Sequence, residues 1–318
     1  MPPATDPGSR LLAFRPAAVL RRLPPRSEAC PLSPRELLRG WTPGLATIPV
    51  VRAGSPAAAL GALVAARQLD SALGLSLPAG QSPEPWFGSA ARAADEVAAR
   101  LPLFLWGEVA VGGESGEAVE RARREAWRLV EGGLTVLAFA VDRVPEEGRA
   151  AALLRATEAA REHEVAVELL LPPGPEGLAS GPSAAALLED LRAVGLRPDL
   201  LGVRFPPAEG GEQVRAHGQA LEDLCAWVEE VPVMRRGPLA PGGAPECAAR
   251  TLAACEDGGA IEAASRRREA PPAAPPVEAA EGPEARAYFA AVEFLEALGA
   301  AGSAARLEQR ILDLVGGR

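Results

Sequence analysis

The sequence predicts an α/β fold of one kind, a (β/α)8 TIM barrel with an N-terminal Pro/Arg-rich extension and C-terminal helices. Three observations carry this expectation. From about residue 46, short apolar or β-branched runs alternate with longer segments of helical period. Eight such strand and helix pairs fall within about 250 residues, the arithmetic of the closed barrel. No GxGxxG follows the first predicted strand, so the rival open, doubly wound sheet lacks its phosphate-binding turn. With 48% apolar and 24% charged residues, the chain has the composition of a globular protein.

The extension comes first. Residues 1–40 hold 7 arginines and 3 acids, a balance of +4, whereas the remainder holds 26 arginines and 39 acids, a balance of −13. Prolines separate Arg10, Arg15, Arg21, Arg22 and Arg26, and no continuous apolar stretch of a secretory signal is present. The leader is therefore expected to be a partly flexible, solvated arm, with a docking or targeting segment as the alternatives.

The barrel is assigned to residues 41–269. Its strands are expected at 46–53, 72–78, 101–108, 134–142, 164–171, 200–206, 231–237 and 259–265. Most lack strict polar alternation, as expected where helices and interior cover both faces. Helices are expected at 56–69, 89–100, 117–130, 147–162, 183–194, 212–229 and 245–256. In the third of these, Val119, Ala122, Ala126 and Leu129 form one apolar stripe. Ser115 and Ser183 suit N-cap positions. Residues 270–283 (APPAAPPVEAAEGP) read as a proline-rich loop. Residues 284–318 then form helices at 284–298 and 304–315, with Phe289, Val292, Leu295 and Leu298 toward the barrel wall.

Composition excludes several chemistries. Every one of the 33 basic residues is arginine, so a lysine Schiff base, a covalent pyridoxal site and a P-loop lysine are ruled out. Only His163 and His217 are available, too few for a multi-histidine metal site. Cys30, Cys225, Cys247 and Cys255 contain no CxxC pair and read as small buried hydrophobes, which suits a cytoplasmic location. No run of about 18 apolar residues exists to span a bilayer. The acidic body argues against nucleic acid, because phosphates would be repelled.

In a barrel, chemistry comes from the carboxyl ends of the strands and the loops after them. Those positions supply Arg52, Glu108, Asp142, Arg143, Glu168, Arg204, Arg235, Arg236, Glu262 and Ser265. Glu108 and Glu168 are the candidate general bases, and Arg204, Arg235 and Arg236 are candidate clamps for an anion. A structural ion network closing the mouth is an equal alternative. The pattern leaves the register of the last strands open, so Arg235 and Arg236 are equivalent candidates. Gly237, Gly242 and Gly243 in GPLAPGGAPE would let backbone amides approach a phosphate, although three prolines there remove donors. His163 falls at the amino-terminal rim, a structural position. His217 falls early in the sixth helix, where a surface histidine is expected. Trp106 is expected to fill the barrel interior or floor the pocket.

The order of segments resembles the class II fructose- and tagatose-bisphosphate aldolases. PRELLRG with IPVVRAGSPAAALGALVAARQLDSALGLSLP resembles that family's opening helix, first strand and first crossover. LPLFLWGEV, GGLTVLAFAVD, REHEVAVELLL, VPVMRRGPLAPGG and GGAIEAAS resemble later strands, and YFAAVEFLEALGAAGSA its closing helix. The resemblance implies zinc-assisted aldol cleavage of sugar phosphates, yet the matched positions depart from it. Glu108 falls at the catalytic aspartate, Val109 at a metal-binding histidine, and Glu168 at a glutamate associated with metal binding. No histidine follows strand six near Arg204, and Arg235 or Arg236 replaces the histidine after strand seven. Glu262 replaces an asparagine, and Ser265 matches a phosphate-binding threonine. Arginine is a permanent cation with no lone pair for a metal. The expectation is thus a degenerate barrel with its zinc site lost and no cofactor, serving as a non-catalytic subunit, scaffold or binding protein. A protein partner or homo-oligomer and a sugar-phosphate ligand are its expected companions. The alternative is an active lyase with an Arg/Glu site, and a third reading is a sugar-phosphate sensor.

Overall fold

A computed structural model describes residues 11–39, 47–97, 101–112, 116–172, 179–206, 210–228, 231–237 and 282–316. Within them lies one parallel sheet of seven strands in sequential order. The strands are β1 (Val50–Arg52), β2 (Leu73–Ser76), β3 (Leu103–Gly112), β4 (Val136–Arg143), β5 (Ala166–Leu170), β6 (Leu200–Arg204) and β7 (Val233–Arg236). The expected eighth strand at 259–265, the helix at 245–256 and most of the loop at 270–283 lie outside the described residues.

The sheet curls on itself. Val50, Trp106, Val136, Ala166, Leu200 and Met234, from six of the seven strands, meet in one buried cluster. Their neighbours in sequence, such as Val51, Leu105, Leu137, Val167, Leu201 and Val233, join a second cluster with the surrounding helices. Side chains alternate across a strand, so the first set faces the barrel interior and the second faces outward. Gly74 opposes Trp106 in this interior, and a methyl group on it would stand 2.7 Å from the indole ring. The glycine is what admits so large a side chain.

The outer layer comprises α3 (Pro56–Gln68), α4 (Pro83–Glu96), α5 (Gly116–Glu131), α6 (Arg149–Ala156), α7 (Glu158–Glu162), α8 (Gly181–Ala193) and α9 (Gly211–Trp227). Ser55 caps α3, its Oγ accepting from the Ala58 amide at 3.2 Å. Three expectations need correction. The second helix begins at Pro83 rather than 89, because Pro83 and Pro85 are tolerated in a first turn that lacks amide acceptors. The segment expected as one helix at 147–162 is broken at Thr157, whose Oγ1 donates back to the Leu153 carbonyl at 2.8 Å. Ser183 is inside α8 rather than its cap; the helix starts at Gly181, and Ser180 holds the cap position. Ser115 lies outside the described residues.

The leader is not a solvated arm over its described part. Leu11, Val19, Cys30, Leu32, Leu37 and Leu38 are all buried. Two short helices, α1 (Ala17–Leu20) and α2 (Arg35–Arg39), run beneath the amino ends of the strands. Pro31 forms a parallel bridge to Leu103, at the start of β3. Asp95 accepts from the Ser27 hydroxyl at 3.0 Å and from the Glu28 and Ala29 amides at 2.8 and 2.9 Å. Asp199 bonds the Val167 amide at 3.0 Å and Arg39 Nε at 3.1 Å, and it pairs with Arg35 at 3.6 Å. Arg35 and Arg39 are thus anchors, and an arginine-rich segment with interspersed leucines gave no outward sign of this.

The C-terminal helices α10 (Pro283–Ala297) and α11 (Ser303–Gly316) pack along α3 and against α2. Leu295 and Leu298 are buried with Ala287, Ala291 and Phe294, and Val292 packs against them. Phe289 is 42% exposed, against expectation, because it lies off this stripe. Among the described residues no helix is long and apolar enough to cross a membrane.

Candidate site at the barrel mouth

Interior positions along each strand become polar toward the carboxyl end. Below, Phe104, Trp106, Val136 and Leu200 fill the barrel. One step up, parallel pairing brings Glu108, Ala138 and Glu168 to the same level on β3, β4 and β5. At the top of the next two strands Arg204 pairs in register with Arg236. The curled sheet points these four charges at one another.

Glu168 is completely buried and holds three hydrogen bonds. Arg236 donates to it from Nε at 2.8 Å and from Nη2 at 2.7 Å, a bidentate pair. The Trp106 indole N–H donates from below at 2.9 Å. Arg236 is itself 3% exposed. Removing two such charges from water is costly unless their pairing is complete, and here the fork and the indole complete it. Gly202 on β6 provides the space, since a methyl group there would stand 2.1 Å from Glu168 Oε1.

Nearer solvent, Arg204 donates to one oxygen of Glu108, and Nη1 of Arg236 stands 4.0 Å from the other. The Glu108 side chain is 39% exposed and that of Arg204 51%. The result is a chain of alternating charge: Arg204, Glu108, Arg236, Glu168.

Arg235 does not belong to this set, and the two adjacent arginines are not equivalent. Strand alternation turns Arg235 outward, where its guanidinium lies 5.3 Å over the Phe205 ring. His217 of α9 packs against that same ring at a tilt of 48°, with centroids 5.0 Å apart. His217 is buried rather than on the surface, with Nδ1 lacking a partner. Burial, and secondarily the Arg235 charge, hold its pKa below the ordinary histidine value. His163 caps the end of α7 and meets Trp127 edge-on at 5.2 Å, far from the mouth.

Gly237 follows β7 with φ of +116°, and a methyl group on it would stand 2.4 Å from the Phe205 carbonyl. Glycine is needed there for the turn out of the strand, against β6. Gly242, Gly243, Glu262 and Ser265 lie outside the described residues. Arg52, at the end of β1, is exposed and faces the same end of the barrel.

Sequence reasoning overlooked Asp199 and Asp95, which sit at the opposite end and hold the leader. Burial pushes Asp199 above the usual aspartate pKa, outweighing the Val167 amide and the two arginines. A groove of about 700 Å³ opens at that same end, lined by Arg15, Leu32, Leu37, Arg39, His163 and Ile311. It is remote from the Glu/Arg chain.

No family model and no curated protein sequence matches the chain. Solved structures do match its fold. The YdjI aldolase from Escherichia coli K12 superposes with a TM-score of 0.59 at 15% identity, covering 82% of this chain and 94% of that one. A protein assigned as a fructose-1,6-biphosphate aldolase from Coccidioides immitis gives 0.56 at 16% identity, over the same 82% and 94%. A protein assigned as a tagatose 6 phosphate kinase from Sinorhizobium meliloti 1021 gives 0.57 at 16%, covering 69% and 66%. At these identities the likeness is one of fold.

Proposed function

We propose that this aldolase-like barrel binds a sugar phosphate at its mouth and serves as a non-catalytic subunit or binding protein. The observation that supports it most is the buried Arg236–Glu168 pair. The family resemblance implies a divalent metal between these strands, and the residues present do not fit one. Glu108 and Glu168 are each paired with a guanidinium, which offers no lone pair and stays charged. Among the described residues no three histidine, cysteine or carboxylate side chains converge. Among the described residues of the mouth, arginine is the group placed to polarise a substrate carbonyl.

The natural companion is a protein partner or a second copy of the chain, supported by Trp227 (57% exposed) and Phe289 on the outer helices. Metal analysis of the purified protein and a cleavage assay on fructose and tagatose bisphosphates with added zinc test this reading. The expected result is neither stoichiometric zinc nor cleavage. Stoichiometric zinc or zinc-stimulated turnover overturns it.

A second reading is an active lyase, favoured by the half-exposed Glu108 and Arg204. Glu108 would then be the general base, with Arg204 and Arg236 on the ligand's oxyanion. It requires that Glu108→Gln abolish turnover in a folded protein.

A further inference from the structure

Glu108 and Glu168 are held unequally. Glu168 is enclosed, with both oxygens bonded. Glu108 is shared between two guanidinium groups on neighbouring strands, bonded to the outer one and 4.0 Å from the inner one. A modest side-chain rotation would carry it from Arg204 to Nη1 of Arg236. The inward positions beside it on β3 and β4 are Ala110, Ala138 and Ala140, so no bulky neighbour stands in the way on those strands. The outer pair is half in water, where an ion pair is weak and readily exchanged.

We propose that Arg204 is the oxyanion handle of the barrel mouth and that Glu108 is a built-in competitor for it. An arriving phosphate or carboxylate takes the Arg204 fork. Glu108 then closes onto Arg236, so neither Glu108 nor Glu168 is left without a cation. This rests on the mouth being a ligand site, and it gives Glu108 a role opposite in sign to that of a general base. Neutralising Glu108 strengthens binding.

Isothermal titration calorimetry on the full chain tests this, with inorganic phosphate and with malonate as separate probes. Glu108→Gln is expected to bind about five-fold tighter than wild type, the worth of an exposed ion pair. Arg204→Gln is expected to lose binding. Arg204→Lys is expected to bind more weakly than wild type, because an ammonium lacks the fork. Arg128→Gln, an exposed control on α5, is expected to bind like wild type. Thermal unfolding of each variant confirms that the fold is kept. Binding of phosphate alone supports the handle with a phosphate ester as ligand, and binding of malonate alone supports it with a carboxylate. Wild-type binding that Glu108→Gln fails to tighten, or that Arg204→Gln retains, overturns the exchange and leaves the mouth a ligand site. Binding of neither anion by wild type or Glu108→Gln overturns both.

Discussion

Gly202 on β6 faces the carboxylate of Glu168 on β5 so closely that a methyl group on it would stand 2.1 Å from Oε1. The buried acid and the missing side chain are therefore one feature. Both lie inside the barrel, and Arg236 approaches the same carboxylate from β7.

Gly202→Ala should force the carboxylate off its bidentate geometry. Overpacking of this kind costs about 1–3 kcal/mol, and disturbance of the ion pair adds to it. Urea unfolding is the measurement. Gly116→Ala, where a methyl group would meet nothing within 4 Å, is the control and should lose no stability.

Arg236→Met should be more damaging than the loss of both charges together. It strands a buried carboxylate, at a cost of about 3–5 kcal/mol. The double variant Glu168→Leu/Arg236→Met should recover most of that loss. A double-mutant cycle showing simple additivity would contradict the buried pairing.

The His217 ring should make stability depend on acid. Its folded pKa is depressed by burial and by Arg235, so the folded chain binds this proton less readily than the unfolded chain. The contribution is present above about pH 6.5 and is lost as pH falls through the folded value. Urea midpoints measured between about pH 7.5 and 5 should decline more steeply for wild type than for His217→Leu. Parallel curves would contradict the assignment.

Asp95→Ala should loosen the leader. It removes one acceptor serving the Ser27 hydroxyl and the Glu28 and Ala29 amides. Hydrogen bonds to a charged group contribute about 1.5–3 kcal/mol each, so a loss of at least about 2 kcal/mol is expected. Hydrogen exchange should localise the change to residues near 27–32, and uniform exchange would count against it.

The alternation of apolar runs and helical segments was legible because both faces of a parallel sheet are covered, which leaves continuous apolar strands. The same continuity hid which way each residue points. Glu108 and Glu168 were identifiable as candidates at strand ends, yet nothing in VPVMRRG says which arginine looks inward. Register decides that, and register comes from long-range pairing such as Arg204 with Arg236. The burial of the leader's described part, residues 11–39, was hidden for a related reason. Its arginines look solvated until Asp199, some 160 residues away in sequence, supplies the partner for Arg39. His217 seemed a surface residue because the Phe205 ring that covers it comes from another element.

The twin arginines of β7 make that strand intolerant of slippage. Arg235 rides an aromatic ring on the outer side, and Arg236 locks an acid on the inner side. A shift of one residue one way would bring Gly237 to the inward place of Arg236, strand Glu168 and set Arg235 among aliphatic side chains. A shift the other way would bring Arg235 inward and put Met234 in its place over the Phe205 ring. Each misaligned pairing is penalised, on the inner face in one direction and at the aromatic ring in the other. The adjacent charges thus act as an assembly check on the last described strand, apart from anything they do for a ligand.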